Sequence, residues 1–128
     1  GGGINHRMTL SDAALIKDNH IVAIGSITRA VERVRSQFPS VNIEVEADTL
    51  DQVKEALDAK VEMILLDNMS LEETKIAVEL ARGTSTKLES SGGLTLESAA
   101  AYAATGVDYL AVGALTHSAP ALDIGLDF

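Results

Sequence analysis

The chain alternates between two hydrophobic patterns, and that alternation leaves few folds open. Short runs, Ala13 to Ile16, Val41 to Val45, Val61 to Leu66, Thr86 to Glu89 and Asp108 to Val112, read as five β-strands. Most are nearly uniformly apolar, as strands covered on both faces must be. Between them, apolar residues recur every three or four positions. Ile27, Ala30, Val31, Val34 and Phe38 follow Ser26, whose hydroxyl can cap the first helical N–H groups, and Pro39 ends the run. Leu50, Val53, Ala56 and Leu57 follow Thr49, with Gln52 at capping-box spacing, and Ser70 with Glu73 repeats the device. A fourth helix is expected from about Thr95 to Thr105, stopped by Gly106, a residue suited to a left-handed C-terminal position. Helix follows strand four times, which predicts βα units on a parallel sheet.

Such units build either an open doubly wound sheet or a (β/α) barrel, and periodicity does not separate them. The polar residues do. They gather at the C-terminal end of each strand: Lys17-Asp18-Asn19-His20 after the first, Glu44 and Glu46 around the second, Asp67-Asn68 after the third, Ser90-Ser91-Gly92-Gly93 after the fourth, Gly113-Ala114 after the fifth. A barrel brings these ends together on one rim, where barrel enzymes hold their substrates. The expected fold is therefore a partial, TIM-like (β/α) barrel with about five parallel strands. Its 128 residues suffice for one domain or part of one.

Composition narrows the partners. The formal charge is -9, and no stretch concentrates Lys and Arg as a nucleic-acid surface requires. No apolar run approaches the roughly 20 residues of a membrane helix, so neither nucleic acid nor membrane is an expected partner. Cysteine is absent, which removes disulfides and thiolate metal sites and suits a reducing, cytoplasmic setting.

Lys17 directly follows Ala-Ala-Leu-Ile, so its ammonium is expected at the rim on a rigid strand, where it could bind an anion or form a Schiff base. His6 and Arg7 supply a second cationic group. Glu46 and Asp67 end neighbouring strands and could face one cavity, suited to ribose hydroxyls, to Mg²⁺ through water, or to a developing positive charge. Ser91-Gly92-Gly93 and Gly113-Ala114 expose backbone N–H groups after the last two strands, a cradle for phosphate. His6, His20 and His117 show no zinc-site spacing.

Read as strings, Gly-Gly-Gly-Ile-Asn-His-Arg, Leu-Ile-Lys-Asp-Asn-His-Ile, Glu-Val-Glu, Leu-Leu-Asp-Asn-Met, Ser-Gly-Gly and Val-Gly-Ala-Leu-Thr-His-Ser stand in the order and spacing of one family. The chain resembles the C-terminal barrel portion of quinolinate phosphoribosyltransferases over essentially its whole length. The resemblance implies transfer of a phosphoribosyl group from phosphoribosyl pyrophosphate to quinolinate, with loss of CO₂ and Mg²⁺ as cofactor. It also implies roles. His6, Arg7 and Lys17 would contact the quinolinate carboxylates and the donor; Glu46 and Asp67 would hold the ribose hydroxyls and Mg²⁺-bound pyrophosphate; Ser91, Gly92, Gly93, Gly113 and Ala114 would hold the 5′-phosphate. Lys17, Glu46 and Asp67 would be the catalytic set, with no direct protein ligand to the metal.

By the same resemblance an N-terminal α/β domain, the earlier barrel strands with an Arg-Lys pair, and an arginine from the partner of a homodimer lie outside this chain. The opening Gly1-Gly2-Gly3, with no Met, does not read as a natural start. The chain alone is therefore expected to be inactive. Two other readings remain open from the residues: a Schiff-base aldolase using Lys17, and a non-catalytic domain binding a phosphorylated ligand. Because Ala13 to Ile16 would lack its preceding strand, its apolar edge is a template for another chain. The isolated chain should self-associate through that edge, exchange its Gly1 to Leu10 segment between copies, or stay associated with the missing piece of a nicked parent. Light scattering across a dilution series should show species larger than a monomer; a compact monomer at every concentration would refute this.

Overall fold

The structure is a computed structural model and describes residues 3–9, 11–118 and 120–126. Gly1, Gly2 and Leu10, part of the opening segment named above, lie outside the described residues. In chain order the elements are β1 (Ala13–Ile16), α1 (Asp18–Ile24), α2 (Ile27–Gln37), β2 (Asn42–Ala47), α3 (Leu50–Asp58), β3 (Met63–Asp67), α4 (Leu71–Ala81), β4 (Lys87–Ser91), α5 (Leu96–Ala103), β5 (Tyr109–Leu110) and α6 (Ala114–His117). All strand pairs are parallel, and the spatial order β1-β2-β3-β4-β5 is the sequence order. A doubly wound sheet reverses its order at a switch point. Here there is no reversal, and α2 through α5 pack neighbour to neighbour along the sheet, as in a barrel wall.

The two faces of this sheet differ sharply. Ile16, Ile43, Val45, Ala47, Ile64, Leu66 and Leu88 pack with Ile27, Ala30, Val31, Val53, Ala56 and Ala77 of the helices to form the core. Successive strand residues point to opposite faces, so Glu44, Glu46, Leu65, Asp67 and Glu89 project from the other side, the interior of the barrel curve. The register aligns Glu46, Leu65 and Glu89 across three strands.

The helices start where the sequence says. Arg29 N donates to Ser26 Oγ at 3.2 Å. Thr49 and Gln52 form a reciprocal box, as do Ser70 and Glu73. Gly106 takes the left-handed conformation, φ +99°, past α5. On α2, Arg35 donates to the carbonyls of Ala59 and Lys60 at 2.7 and 2.6 Å, tying it to the negative end of α3.

Other details depart from expectation. Asp18, Asn19 and His20 are the first turn of α1, not a rim loop; α1 has no fully buried residue, and only Ile21 and Ile24 pack against the core, too short a stripe to reveal a helix. Phe38 is the C-cap of α2 and 60% exposed, outside the buried stripe. The β2, β3 and β4 ladders extend one to two residues further than the apolar runs, because Glu46, Asp67 and Ser91 are polar only on the interior face. The fifth strand spans Tyr109–Leu110 alone.

Ile64 lies on the central strand, fully buried against the helices. Ile64→Ala should destabilise by about 2–5 kcal/mol in urea denaturation, whereas Val22→Ala, on a residue 83% exposed, should stay within about 0.5 kcal/mol.

Candidate functional site

The C-terminal end of β1 delivers Lys17, and its Nζ lies 3.0 Å from Glu46 Oε2 at the end of β2. The lysine side chain is about half exposed while that of Glu46 is 13% exposed. The hydrogen bond that Lys17 donates to Glu46, and the negative charge of Glu46, hold Lys17 above the ordinary lysine range. An ammonium so held is a cation and not a free amine, which argues against condensation with a carbonyl.

Glu46, Asp48 and Asp67 bring three carboxylate oxygens within 4.8 Å of one another. Burial, then the charges of Asp67, Glu46 and Asp18, push the Asp48 carboxyl up. This concentration of negative charge calls for a cation beyond Lys17, and hard oxygen donors suit a divalent metal.

Asp67 is coupled to the glycine segment through Asn68. Asn68 adopts φ +53°, its Nδ2 donates to Asp67 Oδ2 at 2.9 Å, and its backbone N donates to Ser91 O at 3.0 Å. Gly92 has φ +90°, and a Cβ there would run into Asn68, 2.6 Å from Cγ and 2.8 Å from the backbone N, with Oδ1 also in collision. Only glycine fits this turn. Gly93 also has positive φ, +61°, so two consecutive residues present their N–H groups in a sharp turn after β4. The second glycine segment leaves the adjacent strand at the same end, where Ala111 N donates to Ser90 O at 3.0 Å. Gly113 there has an ordinary φ of -59°, and α6 is one turn long, so this segment offers backbone donors and little helix dipole.

His6 sits over the interior face, with Nε2 3.6 Å from both Glu44 Oε2 and Glu89 Oε1. Burial pushes the Glu89 carboxyl up; His6 opposes the shift and Glu44 adds to it.

Of the residues singled out in the sequence, the structure brings Lys17, Glu46 and Asp67 into one cluster and sets Ser91, Gly92 and Gly93 beside it through Asn68. Gly113 and Ala114 stand at the neighbouring strand end, and His6 lies over the sheet. Arg7 makes no ion pair with this cluster among the described residues; its charge acts on Asp12. Sequence reasoning passed over Asp48 and Glu89, and placed Asn68 at the rim without a role. Glu89 was legible by register, since it precedes Ser91 by two residues and must share its face; Asp48 lies just past the end of β2, where the strand alternation no longer assigns a face.

Parallel strands in sequential order, with carboxylates, a lysine and glycine turns at their C-terminal ends, define part of a (β/α) barrel. Residues 1–127 match the family described as quinolinate phosphoribosyl transferase, C-terminal domain, and the chain belongs to it. The nicotinate-nucleotide pyrophosphorylase [carboxylating] of Mycobacterium leprae is 56% identical over 129 residues, 99% of this chain and 45% of that protein. The probable enzyme of the same name from Bacillus subtilis is 45% identical over 128 residues, 99% of this chain and 44% of the relative. The crystal structure of nicotinate-nucleotide pyrophosphorylase from Ehrlichia chaffeensis superposes with a TM-score of 0.87 at 46% identity, covering 92% of this chain and 43% of that one. The chain thus spans about half the length of the curated relatives it matches.

The Asn68 contact makes Gly92 the least replaceable residue of the turn. Gly92→Ala should destabilise by about 3–5 kcal/mol, from left-handed strain and the collision together. Gly93→Ala, with nothing within 4 Å of its Cβ position, should cost about 1–2 kcal/mol from strain alone. Equal losses in thermal denaturation would contradict the assigned packing.

Proposed function

We propose that this chain is the C-terminal, phosphoribosyl-binding part of a quinolinate phosphoribosyltransferase. The observation that carries the proposal is the Lys17–Glu46 pair facing Asp48 and Asp67, joined by Asn68 to the Ser91–Gly93 turn. In the proposed reaction the pyridine nitrogen of quinolinate displaces pyrophosphate from the anomeric carbon of phosphoribosyl pyrophosphate, and the 2-carboxylate then leaves as CO₂ while C2 takes up a proton from water. The product is nicotinate mononucleotide.

Positive charge develops on the ribose ring as the bond to pyrophosphate breaks. Carboxylates stabilise that charge if they stand near the ring before the reaction, because they need no reorganisation when the charge appears. Glu46 and Asp67 take this part and accept hydrogen bonds from the ribose hydroxyls. Lys17 binds an anionic oxygen of the donor or of quinolinate, and its bond to Glu46 fixes both groups. Ser91, Gly92 and Gly93, with Gly113 and Ala114 from the next strand end, hold the 5′-phosphate by backbone N–H groups. His6 and Arg7 face the quinolinate carboxylates.

The three converging carboxylates fit Mg²⁺. Glu46, Asp48 and Asp67 would hold it through water, since Glu46 is already engaged by Lys17. Bound there with pyrophosphate, the ion supplies charge neutralisation on the leaving group. The relatives' greater length supports a whole enzyme in which further residues complete the site, and we infer a cytoplasmic homodimer. No helix among the described residues is long and apolar enough to cross a membrane.

Turnover of the full-length enzyme with quinolinate and phosphoribosyl pyrophosphate should yield nicotinate mononucleotide, pyrophosphate and CO₂; none of these products would refute the proposal. In that enzyme, Lys17→Ala should lower kcat/KM by about tenfold or more, the loss of a charge-assisted contact. Its stability should change by less than about 1 kcal/mol, as for a half-exposed ion pair. Wild-type kinetics in the variant would remove Lys17 from the mechanism.

A further inference from the structure

Two side-chain atoms outside the Lys17 cluster are energetically anomalous. Glu44 Oε2 and Glu89 Oε1 are the buried side-chain oxygens that lack a hydrogen-bond partner among the described residues. Each residue is 6% exposed. Burying an ionised carboxylate with no donor is strongly unfavourable, and placing two in one region adds repulsion. For stability alone, glutamine or an apolar residue would serve better at both positions.

The two oxygens converge on one atom. Nε2 of His6 is 3.6 Å from each, an ion-pair distance and longer than a hydrogen bond. Glu44 stands on β2 and Glu89 on β4, so the imidazole bridges the interior face across β3. The opening segment of the chain is thereby attached to the sheet floor. Carboxylates placed against one ring nitrogen orient an imidazole and fix which nitrogen faces outward.

We propose that Glu44 and Glu89 are positioning residues for His6: they hold Nε2–H of the imidazolium form from two sides and leave Nδ1–H, on the other edge of the ring, as the donor to a carboxylate of the substrate. The proposal rests on the reading above that the rim binds an aromatic dicarboxylate, and it explains why an unfavourable acidic pair is kept beneath an anion site. Stability given up for a preset binding group is a familiar trade in functional sites.

The test uses the full-length enzyme with Glu44→Gln, Glu89→Gln, His6→Ala, and the double variant His6→Ala/Glu89→Gln. Glutamine keeps the shape and removes the charge, so both Gln variants should match or exceed the parent in Tm. Their KM for quinolinate should rise about tenfold or more, while KM for phosphoribosyl pyrophosphate stays within about twofold. The double variant should be no worse than His6→Ala, because Glu89 acts through His6. A fall in Tm that parallels the kinetic loss would make the glutamates merely structural and overturn the proposal. So would an unchanged KM or additive losses. If the wild-type enzyme proved inactive with these substrates, the functional reading would fall, but the hold on His6 would still be judged by ¹⁵N NMR of the ring nitrogens. His6 signals should shift in both Gln variants while those of His20 and His117 stay in place; an unmoved His6 would overturn the hold.

Discussion

The fold rests on a parallel sheet whose two faces solve opposite problems. Toward the helices, Ile43, Val45, Ile64, Leu66 and Leu88 are packed in an apolar layer that supplies the stability. Toward the interior, the alternate positions of the same strands carry Glu44, Glu46, Asp67 and Glu89. A sheet that was apolar on both faces would be more stable and would have no site. Because residues two apart share a face, a one-residue slip in register would drive the carboxylates into the helix layer, so core packing and site geometry are fixed by one constraint.

Excess negative charge on that interior face governs its chemistry. Lys17 neutralises Glu46, His6 stands against Glu44 and Glu89, and Asp48 and Asp67 are left without a cationic side chain among the described residues within ion-pair distance. Such a surface attracts positive charge, whether a metal ion or a sugar ring becoming cationic in a transition state. In the proposed reaction the phosphate of the donor, repelled by these acids, would need a separate holding place, and the Gly92–Gly93 turn, with both residues at positive φ, is the place proposed for it. Asn68 joins the two regions with one side chain and one backbone N–H.

Much of this was readable from the sequence. Five strands, four of the helices and their caps follow from spacing, because hydroxyl and amide caps act locally and apolar stripes report the buried face. Lys17, Glu46 and Asp67 were legible as strand-end polar residues in an otherwise apolar alternation. Helix α1 was not, since a seven-residue helix that sets only Ile21 and Ile24, both half-buried, against the core leaves too short a stripe. The linkage of Asn68 to Gly92 and the gathering of Glu44, Glu89 and His6 were also hidden. They depend on contacts between segments more than twenty residues apart, which local pattern does not encode.

If the proposed function is right, the C-terminal strand ends act as one ligand-binding rim. Hydrogen–deuterium exchange on the full-length enzyme, with and without phosphoribosyl pyrophosphate and Mg²⁺, tests it directly. Backbone amides of 46–48, 67–68, 91–93 and 111–114 should gain protection together, while the opposite end of the sheet around Lys87 and Asp108 stays unchanged. Protection confined to that opposite end, or absent from the Ser91–Gly93 turn, would contradict the account.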